Sequence, residues 1–92
     1  MSHTIHDKQK MLNRVRRIRG QLEAVEKALN EERDCAKIMQ MIAACRGAIN
    51  GLMGEVVEGH IRFHVVPPGT DPRSGKGKAA EELVGVLKTY LR

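Results

Sequence analysis

Aromatic residues are nearly missing from this 92-residue chain, which has one Tyr, one Phe and no Trp. A core without large rings has to be built from Leu, Ile, Val, Met and Ala, a composition that suits packed helices. No run approaches the ~20 apolar residues of a membrane span, and the opening "MSHTIHDKQK" has no apolar secretory stretch. These absences lead us to expect a cytoplasmic protein that does not enter a membrane. Cysteine is also scarce, with only Cys35 and Cys45. Ten residues apart on one helix they stand ~15 Å from each other, beyond the ~7 Å Cα limit for a disulfide, and free thiols are expected. A chain this short has little interior of its own, so oligomerisation is an early expectation.

Charge, by contrast, is plentiful and uneven. Lys8, Lys10, Arg14, Arg16, Arg17 and Arg19 face only Asp7 within residues 1–19, so the whole net charge of +5 lies in the first fifth of the chain. At 100° per residue Lys10, Arg14, Arg17 and Gln21 share ~60° of a helix surface, with Arg16 and Arg19 further round. A solvated face usually mixes its signs. This one points instead to an anionic partner, above all nucleic acid held through its phosphates. Neither a helix-turn-helix signal nor an aromatic platform for single strands is present, so any sequence preference is expected to come from DNA shape.

Apolar periodicity predicts an all-α, three-helix protomer in a single domain over residues 1–92. Met11, Val15, Ile18, Leu22, Val25 and Leu29 form a heptad seam on a first helix of about residues 5–30. Asp34 is a suitable N-cap for a second helix of about residues 35–64, with a seam of Cys35, Ile38, Ile42, Cys45, Ile49, Leu52 and Val56. Met39, Ala43, Ala48, Met53 and Val57 widen that seam beyond what one neighbouring helix can cover. A second chain is therefore expected against it. "VVPPGTDPRSGKGK" reads as a loop over residues 65–78, and Leu83, Val84, Leu87, Tyr90 and Leu91 mark a third helix at about 79–91.

His60 and His64, four residues apart, lie one above the other on a helix and can grip one ion. In an antiparallel hairpin turning near residue 32, His3 falls beside them, while His6 falls beside Glu58 and ranks lower. Cys35 cannot join within one chain, because 25 helical residues separate it from His60 by ~37 Å. If two copies of the second helix pack antiparallel, Cys35 of one chain approaches His60 and His64 of its mate, with two such sites per dimer. Singly, each residue has a plainer reading: a polar surface pair, a frayed terminus, a small buried thiol. Their convergence in one packing scheme favours a metal site. One thiolate with several imidazoles suits Ni(II), Co(II) or Zn(II) more than Cu(I). Cys45, in mid-seam, is assigned to the core. A catalytic zinc enzyme is the competing class, but no carboxylate base or pocket signature accompanies the cluster, and no enzyme is expected. An architectural DNA-binding protein with a purely structural metal is the third.

The segments "RRIRGQLEA" and "CAKIMQMIAACRGAINGLMGEVVEGHI", followed by His64, resemble the CsoR/RcnR family of all-helical transcriptional repressors, nearest its nickel/cobalt-responsive RcnR/DmeR branch. The resemblance implies an antiparallel dimer assembled into a homotetramer that binds operator DNA when metal-free. Ni(II) or Co(II) then releases the DNA and derepresses a metal efflux system. It carries the ligand roles to His3, Cys35, His60 and His64, and the DNA-contacting roles to Arg14 and Arg17. In that branch the amine of Ser2 is also a ligand, which requires removal of Met1. Copper sensors have a second cysteine where His64 stands, and formaldehyde sensors have a proline where Ser2 stands. "RVRRIRGQ" is nevertheless closer to the formaldehyde-sensing branch, so the alternative is a formaldehyde-responsive repressor acting through Cys35.

Overall fold

A computed structural model of the chain describes residues 7–91. Among them every regular element is a helix: α1 spans Lys8–Asn30, α2 Cys35–His60 and α3 Gly75–Tyr90. A π-helical turn, Ile61–Val65, continues from the end of α2.

α1 and α2 form an antiparallel hairpin with a tight, specific connection. Glu32 takes a left-handed conformation, φ 56°. Its N–H donates to the Leu29 carbonyl at 3.1 Å, and that of Arg33 to the Ala28 carbonyl at 3.0 Å. This pair of bonds closes α1 as a Schellman motif, in a place that glycine usually fills. Asp34 then caps α2, its side chain accepting from the Lys37 N–H at 2.8 Å.

The heptad seam of α1 turns out to be divided. Ile18, Val25 and Ala28 are buried toward α2, but Val15, Leu22 and Leu29 are about half exposed. On α2, Cys45 is buried as expected, while Met39, Ile42, Ile49 and Met53 remain 45–63% exposed. Among the described residues no large side chain is fully buried. The radius of gyration is 17.2 Å, against the ~12 Å of a compact domain of this length. The hairpin thus presents an uncovered apolar surface running along both helices.

Two boundaries differ from the sequence expectation. The continuous helix expected to residue 64 changes from α to π hydrogen bonding after His60. α3 begins at Gly75 rather than near 79, and the loop before it is structured. Pro68 and Gly69, φ 81°, occupy the centre of a turn closed by the Thr70 N–H on the Pro67 carbonyl at 3.2 Å. Ser74 caps α3 by accepting from the Gly77 N–H at 3.1 Å. A Cβ on Gly77 would lie 2.2 Å from the Asp71 carbonyl oxygen, so the loop packs directly on bare helix backbone. Gly77, which reads as loop, is what allows this contact.

Candidate metal centre and nucleic-acid face

His60 ends α2 and His64 sits in the π turn, both exposed. Their ring centres are 5.3 Å apart, with the planes tilted by 35°. Two imidazoles sharing an ion through ~2.0–2.1 Å bonds at ~90–110° to each other have ring centres roughly 4.5–5.3 Å apart, so the spacing fits a shared ion.

Arg62 lies between the two histidines in sequence and fixes the turn they stand on. Its guanidinium pairs with both oxygens of Glu81 on α3, and its Nε donates to Glu58 at 3.0 Å. Lys88 on α3 donates to the other oxygen of Glu58 at 2.9 Å. The hydrogen bond from Lys88 outweighs the cost of burial and, with that from Arg62, holds the Glu58 carboxyl below its ordinary range. Arg62 does the same for Glu81 and is itself pushed upward, chiefly by Glu81 and then by Glu58. Four charged groups in alternation thereby fasten α3 to the histidine-bearing end of α2.

Cys35 is exposed at the opposite end, as the first residue of α2. Among the described residues no group of three or more His, Cys, Asp or Glu side chains is placed to hold a metal ion. Ser2, His3 and His6 lie outside the described residues.

The basic residues fall into two groups. Arg16, Arg17 and Arg19 are exposed and make no ion pair among the described residues. Lys10 and Arg14 instead turn toward α2, where the Glu55 carboxylate meets the Lys10 ammonium at 3.5 Å and the Arg14 guanidinium at 3.4 Å. Arg14 also lies on the bare backbone of Gly51, where a Cβ would come within 3.1 Å of its Nη1. About two turns further along α1, Gln21 has a buried Oε1 with no hydrogen-bond partner among the described residues. Glu55 had no part in the sequence reading. The signal was available, since the hairpin register that sets His3 beside the histidine pair also sets Lys10 beside Glu55.

No helix among the described residues is long and apolar enough to cross a membrane. A family model described as a metal-sensitive transcriptional repressor matches residues 7–89. The chain is 47% identical to an uncharacterised protein of the bioA 5′ region of Serratia marcescens, over all of both chains. It is 45% identical to the transcriptional repressor RcnR of Salmonella arizonae and 44% identical to that of Escherichia coli K12, again over full length. A solved structure of a glutamate-to-histidine variant of the formaldehyde-responsive regulator FrmR, from Salmonella enterica serovar Typhimurium, superposes with a TM-score of 0.65 at 45% identity. That match covers 95% of this chain and 96% of the other.

Proposed function

The chain belongs to the metal-sensitive transcriptional repressor family, and on that premise we propose that it binds operator DNA when metal-free and releases it on binding Ni(II) or Co(II), so that a metal efflux system is expressed. Its role is regulatory, since the family consists of transcriptional repressors and not enzymes. Its working site is the cytoplasm.

The observation that carries the reading is the separation of donors on α2, an exposed thiol at the start and a close imidazole pair at the end. Two chains packed antiparallel along their exposed α2 surfaces bring Cys35 of one to His60 and His64 of the other. His3 completes the set, with the Ser2 amine joining once Met1 is removed. The full assembly is a homotetramer, a dimer of dimers. This mixed thiolate and imidazole set suits Ni(II) and Co(II), with Zn(II) a further candidate. A bound ion supplies a bridge between two chains. Lys10, Arg14, Arg16, Arg17 and Arg19 contact DNA phosphates in the metal-free state, and the bridged state presents them in a different relative arrangement. A coupling of ~1–3 kcal/mol, typical of allosteric proteins, changes DNA affinity roughly 5- to 150-fold.

One observation favours a second reading. The likeness to a formaldehyde-responsive regulator supports aldehyde sensing by the exposed Cys35 thiol. Fluorescence anisotropy of labelled DNA from upstream of the protein's own gene separates the two. Release of bound DNA by Ni(II) or Co(II) at the lowest free concentrations supports the metal reading, and release by formaldehyde alone overturns it in favour of the aldehyde.

A further inference from the structure

We infer that Glu55 is an internal counter-anion that occupies Lys10 and Arg14 in place of DNA phosphate, so that the duplex has to displace it. The inference rests on the reading of the basic α1 face as DNA-binding.

Three observations support it. One carboxylate serves two cations of the basic face, at 3.5 Å and 3.4 Å, as a bridging phosphate would. The Arg14 guanidinium lies against Gly51, where a Cβ would come within 3.1 Å of its Nη1, so it rests on α2 beside Glu55. An open cleft of about 420 Å³ lies beside the pair, lined by Arg14, Gly51, Gly54, Glu55 and Lys88. It gives a polyanion access both to the guanidinium and to the Glu55 carboxylate that it would displace.

Arg16, Arg17 and Arg19 have no such competitor among the described residues and are free for first encounter. Lys10 and Arg14 engage only as Glu55 lets go. The two pairs share one partly buried carboxylate, and at on the order of 0.2–1 kcal/mol for each they together restrain binding roughly 2- to 30-fold.

The test compares Glu55→Gln with Glu82→Gln, which changes net charge equally but lies exposed on α3, off the basic face of α1. Full-length, metal-free proteins are run on immobilised heparin and titrated with labelled upstream duplex at several salt concentrations, with helicity checked by circular dichroism. Glu55→Gln is expected to elute from heparin at higher salt than Glu82→Gln. It is also expected to bind duplex roughly 2- to 30-fold more tightly, with a slope of log K against log salt steeper by about 1–2. Identical behaviour of the two variants on both supports overturns the inference. Later heparin elution of Glu55→Gln, with no duplex binding by any of the proteins, supports Glu55 as a polyanion competitor and overturns the repressor reading separately.

Discussion

Cys35 and His60 are the first and last residues of one straight element, α2, and therefore cannot meet within a chain. If they share an ion, it is held between chains, and defects in the two residues should complement each other. Cys35→Ala and His60→Ala proteins are each expected to lose high-affinity Ni(II) binding. Unfolded together and refolded, they form mixed dimers in which one of two sites has all its ligands, so about one quarter of wild-type sites should return. Isothermal titration of the mixture reads this directly, and no recovery would exclude a shared site.

The exposed stripe on the hairpin makes association testable by a single charge. Ile49 on α2 is 45% exposed in the isolated chain, so Ile49→Lys adds no strain within it. Sedimentation should show the variant shifted to monomer with its far-ultraviolet helical signal largely kept. An unchanged sedimentation coefficient would mean that this stripe is not the contact surface.

Acid should loosen α3 first. Glu58 and Glu81 are held below the ordinary carboxyl range, Glu58 by Lys88 and then Arg62, and Glu81 by Arg62. A carboxyl depressed on folding contributes stability that is present above its unfolded value, about 4.5, and is lost as pH falls below it. The melting temperature should therefore drop as pH falls below about 4.5. Glu58→Gln should melt lower at neutral pH and drop less. A variant profile parallel to wild type would assign the acid sensitivity elsewhere.

Glu32 holds a left-handed backbone that suits glycine better. Glu32→Gly is expected to stabilise the hairpin by up to ~1 kcal/mol, measured by urea unfolding, because relief at the Schellman position exceeds the added chain entropy. A loss of stability would show that the Glu32 side chain contributes contacts of its own.

Gly77 is the opposite case, since no side chain fits where the Asp71 carbonyl and Pro72 approach. Gly77→Ala should cost roughly 1–3 kcal/mol and free the start of α3. Hydrogen exchange at residues 75–81 should accelerate, while the α1–α2 hairpin keeps its protection.

The hairpin was legible because heptad spacing is a long, redundant signal, and Asp34 marked the start of α2 by its cap chemistry. Three things were not legible. Periodicity located the seam on α1 but not its division, because Ile18 and Leu22 are equally apolar and only the neighbouring helix decides which is covered. The start of α3 was missed because Gly75 and Gly77 have poor helix propensity, overridden by the Ser74 cap and the loop packed on Gly77. The π turn leaves no mark in the apolar pattern around Phe63 and His64. Of the candidate ligands, Cys35, His60 and His64 have described positions, and the His60–His64 spacing fits a shared ion. The approach of Cys35 from another chain depends on a packing that a single sequence leaves open.

The elongated shape has one more consequence. A chain with a radius of gyration of 17.2 Å and, among its described residues, only a handful of buried apolar side chains keeps little solvent-free volume for itself. If its copies complete one another as proposed, melting and dissociation become a single event, and the midpoint rises with protein concentration. The number of copies in a cell then helps set the threshold of the response, because dilution removes ion-binding sites by separating the chains that share them.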